Sequence, residues 1–276
     1  MKGSLGGRRI ALLESRLEEA LAALVRRNGG EPVCVPAVRE RRKDVGTVLA
    51  GLMGELGATS DPLFIFTTGV GVAALFEEAR ALARHAELRE ALVRGTTVCR
   101  GPKPVAALHR ENIAAKVSVP SPYTTTELLA ALSSIPVAGR LVALLHYGER
   151  SMEPAQTLRA RGARLREVLL YEWSLPDDLR PLQQLVRDLI AGNFAAAAFT
   201  SQIQARHLVQ IAEQMGQREA LLAALRSGIV VAAVGPTCAG ALRALGVEPQ
   251  VMPENPKMGP MLEALACALA PDQATQ

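Results

Sequence analysis

The stretch that decides the fold occurs twice, as FIFTTGVGVAALFEEA at residues 64–79 and as AAFTSQIQARHLVQIA at residues 197–212. In both copies an apolar run ends in two hydroxyl residues, and an amphipathic pattern begins directly after them. The apolar run is typical of a buried strand, and the pattern that follows is typical of a helix packed on it. Because Thr200 lies 133 positions after Thr67 (200 − 67), the two stretches indicate an internal duplication.

Two further blocks repeat with nearly the same offset. VCRGPKPVAALHRENIAAKVSVP at residues 98–120 matches VAAVGPTCAGALRALGVEPQVMP at residues 231–253, and the segment 9–35 resembles the segment 140–168. Strand-like runs alternate with helical patterns throughout, which indicates an α/β fold with parallel sheets. The chain is therefore expected to form two similar domains.

The sequence leaves two arrangements of these domains open. In the simpler one, residues 1–135 form one domain and residues 138–270 form the other. In the exchanged one, the first strand of each half (residues 8–14 and 140–147) joins the sheet of the other half, and the strands that follow bridge the two domains as a pair. Both arrangements satisfy the strand pattern equally well.

A dinucleotide site is one interpretation of the first copy, because Gly69, Gly71 and Ala74 match the spacing G-x-G-x-x-G/A. Such a fold also needs an acidic residue at the end of the next strand, about 20 residues further on. The acids available, Glu87 and Glu90, lie in a helical stretch. The second copy has no glycine at this place, and neither half contains G-x-x-x-x-G-K-[ST]. A site for NAD, FAD or ATP is therefore rejected.

Composition excludes other kinds of site. The 276 residues are 49% hydrophobic and carry a net charge of +4, and aromatic residues make up only 3%. Since no basic stripe alternates with stacking rings, we expect no nucleic-acid partner. The four cysteines are far apart and have no histidine nearby, so we expect no metal. No signal peptide is evident and no apolar run approaches the ~20 residues of a membrane helix, so we expect a soluble cytoplasmic protein.

Both halves carry turns at matching positions, and the residues of these turns suit ligand binding. One strand ends in two hydroxyl residues, a later strand ends in Gly-Pro (101–102 and 235–236), and a helix follows each time. Glycine lets the backbone turn tightly, and proline suits the first helical position. The N–H groups at helix starts bind anions, and ligands of open α/β sheets bind beyond the carboxyl ends of the strands. We therefore expect a large polyanion in a cleft between the domains.

The segments FTTGVGV, RGPKPVAAL, YGE, FTSQIQ and VAAVGPTCAGALRALGVEPQVMPE resemble the uroporphyrinogen-III synthase family, in the family's order and over nearly the whole chain. The resemblance implies two flavodoxin-like domains with parallel sheets, joined by a two-stranded connector. It favours the exchanged arrangement, with residues 1–38 and 173–276 in the first domain and residues 39–172 in the second. The connector strands would lie near residues 32–38 and 166–172.

The resemblance also implies a reaction. Hydroxymethylbilane, a linear tetrapyrrole with eight carboxylates, would be closed to uroporphyrinogen III with loss of water and inversion of ring D. Such an enzyme is a cyclising lyase of porphyrin and haem biosynthesis that uses no cofactor and no metal. We expect a cytoplasmic monomer whose partner is the linear tetrapyrrole, with no binding to nucleic acid or membrane.

Matching the family's motifs to this sequence gives the expected site. Tyr171, at the end of a connector strand, is expected to donate the proton that helps the hydroxyl group leave. Small hydroxyls and the backbone near them are expected to bind carboxylates, and Lys103 to pair with one of them. The expected substrate-binding residues are Thr67, Thr68, Gly69, Gly101, Lys103, Tyr147, Gly148, Thr200, Ser201, Gln202, Gly235, Pro236 and Thr237.

Four other residues and two other functions bear on this assignment. Lys257 stands where relatives often carry a small hydroxyl residue, and His109, His146 and His207 are interpreted as structural because they have no partners at useful spacing. A tetrapyrrole-binding or sensor protein without activity would use the same scaffold. A different enzyme, such as one acting on nucleotide sugars, is disfavoured because the repeated blocks lack paired carboxylates and a catalytic histidine.

Overall fold

Strands and helices alternate along the chain as the repeated patterns predict. The computed structural model describes residues 4–270. The strands are β1 (Arg9–Leu12), β2 (Glu31–Cys34), β3 (Arg39–Arg42), β4 (Leu63–Phe66), β5 (Thr96–Cys99), β6 (Val117–Ser118), β7 (Leu141–Gly148), β8 (Arg164–Ser174), β9 (Ala196–Phe199) and β10 (Val230–Ala233). The helices are α1 (Glu18–Arg27), α2 (Gly46–Gly57), α3 (Gly69–Ala81), α4 (His85–Arg94), α5 (Pro102–Arg110), α6 (Thr125–Ser133), α7 (Met152–Ala160), α8 (Arg180–Ile190), α9 (Gln202–Gln214), α10 (Arg218–Ser227), α11 (Pro236–Ala244) and α12 (Met258–Ala268).

The chain divides into two compact units. Unit 1 consists of Met1–Arg39 together with Ser174–Gln276, and unit 2 consists of Glu40–Trp173. Each unit has its own sheet, and helices supply the apolar residues that cover it. The α/β class with parallel sheets, predicted from the sequence, is confirmed.

The sheet of unit 1 has the strand order β10-β9-β1-β2. Its neighbouring strands run parallel, with Ile10 of β1 opposite Ala196 of β9. Val251 adds an isolated parallel bridge to Ala232 of β10. All residues of β9 are buried, as expected for a parallel sheet with helices on both faces.

The sheet of unit 2 has the strand order β3-β8-β7-β4-β5-β6, and the neighbours from β8 to β6 run parallel. Successive side chains of β4 point to opposite faces. Phe64 and Phe66 therefore lie in a cluster with residues of α2, α3 and α4. Leu63 and Ile65 lie in a second cluster with residues of α6 and α7. The core of unit 2 thus occupies both faces of its sheet.

The strand pairing is that of the exchanged arrangement. The first strand of the chain, β1, pairs with β9 from the second half, and β7 from the second half pairs with β4 from the first. Written as β2-β1-β9-β10 and β8-β7-β4-β5-β6, both sheets follow the flavodoxin-like order 2-1-3-4-5 as far as their strands extend. The switch points of this order, where ligands of such sheets bind, lie between β1 and β9 and between β7 and β4.

Candidate functional site

In unit 2 the structure brings the turns after β4 and β5 into contact. We call the carboxyl ends of β4 to β8, with the turns that follow them, the unit 2 edge. A Cβ atom on Gly69 would lie 2.6 Å from the backbone oxygen of Lys103, so no side chain fits there. The starts of α3 and α5 therefore lie side by side, and the expected residues of both turns share one edge.

The two threonines after β4 already have structural partners. Thr68 is the N-cap of α3, and its hydroxyl oxygen accepts a hydrogen bond from the N–H of Gly71 at 3.0 Å. The Thr67 hydroxyl donates to the carbonyl of Leu145 at 3.1 Å, across the switch point between β4 and β7. Thr67 therefore ties two strands together, and the Thr68 hydroxyl can still donate a hydrogen bond of its own.

The start of α5 carries an aromatic ring that the sequence analysis missed. Gly101 has φ +96°, in the left-handed region that glycine tolerates. The ring of Tyr123 packs on it, since a Cβ atom on Gly101 would lie 3.0 Å from two of the ring carbons. Tyr123 itself has φ +63°, unusual for a residue with a side chain, and is 42% exposed. Lys103, on the first turn of α5, is exposed.

The end of β7 carries Tyr147 and Gly148. Gly148 is buried and has φ +86°, and a Cβ atom on it would lie 2.0 Å from Cε2 of the Trp173 indole. The indole on β8 therefore requires glycine at this position, independently of any substrate. The side chain of Tyr147 lies outside the described residues, although its backbone belongs to β7.

Tyr171, the expected proton donor, is half-buried on β8 and packs against the core of unit 2. The guanidinium of Arg42 lies near enough to interact electrostatically with the phenol. Arg42 donates from Nε to Oε1 of Glu78 at 2.6 Å, and this hydrogen bond is the main cause that raises the pKa of Arg42. The phenol therefore lies near a cation that a carboxylate holds in position.

His146, near the end of β7, has partners that spacing in the sequence did not reveal. Its Nδ1 accepts from the N–H of Ser151 at 3.1 Å, so Nε2 carries the proton and donates to Oε1 of Glu167 at 2.9 Å. Burial lowers the pKa of His146, and the hydrogen bond with Glu167 offsets this only in part. Glu167 also forms an ion pair with Arg159. The neutral imidazole thus holds the loop between β7 and α7, which is a structural role.

In unit 1 the corresponding edge contains a carboxylate of its own. We call the carboxyl ends of β1, β9 and β10, with the turns that follow them, the unit 1 edge. Glu14 accepts from the Thr200 hydroxyl, from Nε2 of Gln204 at 3.2 Å and from the N–H of Arg16 at 3.0 Å. Oε1 of Gln204 accepts from the N–H groups of Thr200 at 2.8 Å and Ser201 at 3.3 Å. A substrate carboxylate at Thr200 and Ser201 would therefore have to compete with these side chains.

The other expected residues of unit 1 lie at the starts of α9 and α11. Gln202 is the first residue of α9 and is half-buried. Pro236 is the first residue of α11, and a Cβ atom on Gly235 would lie 2.8 Å from Cβ of Pro256. Thr237 is exposed on the first turn of the same helix. Close packing thus explains Gly235, whereas Thr237 is accessible to a ligand.

The described residues show neither a metal centre nor a membrane helix. Within residues 4–270, no group of three or more His, Cys, Asp or Glu side chains is placed to hold a metal ion. Burial raises the pKa of the Cys99 and Cys238 thiols to about 12, so both are unreactive at neutral pH. No helix in this part of the chain is long and apolar enough to cross a membrane.

Exposed apolar side chains gather at the two edges. Four of the seven large apolar side chains that are exposed within residues 4–270 lie in the turns or first helical residues after β1, β4, β6 and β7. They are Val70, Tyr123 and Met152 in unit 2 and Leu17 in unit 1. A further exposed side chain, Met252, follows Val251, which forms the isolated bridge to Ala232 of β10. Single exposed apolar side chains are ordinary, whereas several at the sheet edges where ligands of such folds bind would suit a ligand with apolar surface.

Comparison with known proteins gives a consistent result. The family model HEM4, described as Uroporphyrinogen-III synthase HemD, matches residues 19–263. The chain is similar to the crystal structure of a mutant uroporphyrinogen III synthase from the extremely thermophilic bacterium Thermus thermophilus, with a TM-score of 0.80 and 30% identity, over 95% of this chain and 98% of that one. It is 30% identical over 268 residues to the uncharacterized protein YjjA of Bacillus subtilis, which covers 96% of this chain and 97% of that protein.

A more distant structure shows the same fold. The crystal structure of uroporphyrinogen-III synthetase from Helicobacter pylori 26695 is 16% identical, with a TM-score of 0.54, over 95% of this chain and 99% of that one. The family match spans every segment on which the resemblance was based, so that prediction is confirmed. The chain belongs to the uroporphyrinogen-III synthase family, whose members are cyclising lyases.

Proposed function

We propose that the protein closes hydroxymethylbilane to uroporphyrinogen III, with loss of water and inversion of ring D and without a cofactor or metal. The substrate combines flat, apolar pyrrole rings with carboxylate arms. The observation that carries the proposal is that exposed apolar side chains and helix starts occur together at both edges. Apolar side chains suit the rings, and the N–H groups of helix starts suit the carboxylates.

The reaction demands shape and electrostatics more than a strong acid. The C–O bond of the hydroxymethyl group breaks, and the oxygen takes up a proton and leaves as water. The resulting azafulvenium carbon bonds to the substituted carbon of ring D, giving a spiro intermediate. The original bond between this carbon of ring D and the bridge from ring C then breaks, and the released bridge carbon becomes a second azafulvenium. It bonds to the free α-carbon of ring D, and loss of the proton from that carbon restores the aromatic pyrrole. An enzyme that holds this conformation supplies most of the effect.

Tyr171 donates the proton to the leaving hydroxyl group in this proposal. The phenol is half-buried, which limits competition from water. The guanidinium of Arg42 lies near the phenol. Glu78 holds Arg42 in position through the 2.6 Å hydrogen bond.

The carboxylates bind at the helix starts of the two edges. The proposed contacts in unit 2 are Thr67, Thr68, Gly69, Gly101, Lys103, Tyr147 and Gly148, and those in unit 1 are Thr200, Ser201, Gln202, Gly235, Pro236 and Thr237. Side-chain contacts are assigned to the exposed Lys103 and Thr237. At the closely packed glycines, the neighbouring backbone N–H groups bind the carboxylates in this proposal.

A coupled assay tests the function. Hydroxymethylbilane is generated in situ, and the oxidised products are separated into the type I and type III isomers. We expect type III to dominate, since spontaneous closure gives type I. If the protein yields type I alone under conditions where a known synthase works, the proposed function is wrong. Binding of uroporphyrin without type III formation would instead make the protein a tetrapyrrole-binding protein.

The Tyr171→Phe variant tests the proton donor, with Ser133→Ala, at the exposed end of α6, as the control. We expect kcat of the Tyr171 variant to fall about 100-fold, at the lower end of the range for general acid catalysis, with KM nearly unchanged. The control removes a hydroxyl group from the last residue of α6, which belongs to neither edge, so its kcat stays close to that of the wild type. Equal kcat values for the two variants would remove Tyr171 from the mechanism.

A further inference from the structure

Arg100, the residue between β5 and the Gly101–Pro102 turn, carries a charge with no partner among the residues that the structure describes. It is half-buried, and no hydrogen bond or ion pair involves its guanidinium within residues 4–270. Every other half-buried arginine in this range has a polar partner, as Arg140 has in Asp61 and Arg84 has in Glu87. Arg100 is thus an exception in a chain that otherwise satisfies its partly buried guanidinium groups.

An unpaired charge at this position opposes folding. Desolvation by burial lowers the pKa of the Arg100 guanidinium, and no neighbouring acid offsets that effect. Burying a charge without a partner raises the free energy of the folded state. Burying an apolar side chain at the same position does not. Arg100 therefore needs a role outside the stability of the free protein.

The internal duplication provides a control for this argument. Gly101 matches Gly235 in the repeat, so Arg100 matches Val234. The N–H of Arg100 donates to the carbonyl of Phe66 at 2.9 Å, and the N–H of Val234 donates to the carbonyl of Phe199 at 3.0 Å. The backbone is therefore held in the same way in both copies. In unit 1 the side chain is a valine packed against the apolar core, so the fold does not require a charge here.

The surroundings of Arg100 suit an anion attached to an apolar ring. Lys103, one turn further on, is exposed and has no ion-pair partner among the described residues. Pro102 and Pro104 have no N–H and the N–H of Gly101 donates to Cys99, so the first turn of α5 offers the N–H of Lys103, and helix starts favour negative charge. The ring of Tyr123 packs on Gly101, directly next to Arg100, and is partly exposed. Its left-handed backbone is a local strain of the kind that collects at functional sites.

We propose that Arg100 binds one carboxylate arm of the tetrapyrrole, while the pyrrole ring that bears this arm rests on Tyr123. The guanidinium fork matches a carboxylate in two parallel hydrogen bonds, which fixes the orientation of the arm as well as its position. Arg100 is thus a substrate-positioning residue that distinguishes unit 2 from unit 1. This assignment rests on the proposed function and adds to it the residue that selects a carboxylate.

The functional test compares Arg100→Gln with Arg110→Gln, which removes the same charge from the exposed last turn of α5. We expect KM for hydroxymethylbilane to rise about 10- to 100-fold in the Arg100 variant, with kcat much less affected. Arg100→Lys should recover part of the loss, because lysine keeps the charge but not the fork. Equal KM values for Arg100→Gln and Arg110→Gln would overturn the proposal.

A stability measurement separates binding from a structural role. Arg100→Val installs the residue that the other copy uses, so we expect its thermal midpoint to equal or exceed that of the wild type while KM rises. A lower midpoint together with an unchanged KM would show that Arg100 stabilises the fold instead.

A binding titration keeps the two proposals distinguishable. Uroporphyrin, which carries eight carboxylates, is titrated against the wild type and both glutamine variants. Weaker binding by Arg100→Gln alone supports the assignment even if the wild type forms only the type I isomer. Equal binding by the two variants overturns it even if the protein is an active synthase.

Discussion

Replacing Gly148 by alanine should disrupt the packing of Trp173, and the chain contains a matched control for this change. Gly148 has φ +86°, and a Cβ atom there would lie 2.0 Å from the indole. Gly139 has a similar φ of +69°, but a Cβ atom on it would meet nothing within 4 Å. Gly139→Ala therefore introduces backbone strain alone, whereas Gly148→Ala introduces the same strain together with a steric conflict.

The magnitudes follow from these two contributions. A residue with a side chain costs about 1–2 kcal/mol in the left-handed region, so this is the expected loss of unfolding free energy for Gly139→Ala. Forcing an extra carbon into packed side chains adds about 1–3 kcal/mol. Gly148→Ala should therefore lose about 2–5 kcal/mol, and the difference between the variants measures the conflict with the indole.

Urea denaturation of both variants gives the unfolding free energies, and fluorescence gives an independent signal. Trp173 is the single tryptophan of the chain, so its emission reports displacement of this indole alone. We expect the emission of folded Gly148→Ala to shift and that of Gly139→Ala to match the wild type. In a Trp173→Leu background, the loss caused by Gly148→Ala should fall toward that of Gly139→Ala, because the conflicting ring is gone.

Equal losses for the two variants with unchanged emission would refute this reasoning. They would show that the indole does not occupy the space beside Gly148. The glycine would then have to be explained by its backbone conformation or by a bound substrate.

Two further predictions concern the buried networks. Because the pKa of His146 is lowered, its contribution to stability is complete above the ordinary value near 6.5 and is lost as pH falls toward the folded pKa. Below pH 6.5, the unfolding free energy of the wild type should therefore fall relative to that of His146→Gln, by at most about 1.4 kcal/mol per pH unit. Parallel pH profiles of the two proteins would contradict this. In urea denaturation, Glu14→Ala should lower the unfolding free energy by about 1–3 kcal/mol, because it leaves partly buried donors unpaired. Glu19→Ala, which removes an exposed ion pair, should change the unfolding free energy little. Equal losses for the two variants would contradict the role of the Glu14 network.

Local patterns predicted the fold class but not the partner of each strand. Alternating apolar and amphipathic runs are enough to indicate parallel strands covered by helices, and both sheets have this architecture. The runs that form β1 and β7 are equally apolar, so neither run indicates whether it lies beside β4 or β9. The choice depends on contacts between residues far apart in the chain, such as Ile10 with Ala196.

The expected site residues lie at strand ends, because a hydroxyl residue or Gly-Pro after an apolar run marks such an end. Their partners could not be predicted in the same way. Thr200 meets Glu14 across 186 positions of sequence, and Gly148 is fixed by an indole on another strand. A small residue in a sequence shows that space is needed, without showing whether a ligand or a neighbouring side chain takes that space.

Comparison of the two copies separates residues that the fold needs from residues that a ligand needs. Glu14 and His146 occupy matching positions, since the first strands repeat with an offset of 132 (146 − 14). Both accept a backbone N–H from the turn that follows, Glu14 from Arg16 and His146 from Ser151. The fold requires a hydrogen-bond acceptor at this position, and a carboxylate or a neutral imidazole provides one.

Arg100 and Val234 also occupy matching positions, but no shared structural requirement connects their side chains. Their N–H groups make the same hydrogen bond, and only the valine packs against a core. The guanidinium satisfies no group of unit 2 among the described residues, whereas the carboxylate of Glu14 at the unit 1 edge satisfies several. If the proposed substrate binds at both edges, the backbone donors of the duplicated fold would not by themselves determine which arm binds where, because they are similar in both units. That selection must come from side chains that differ between the copies without a structural reason, and Arg100 is such a side chain.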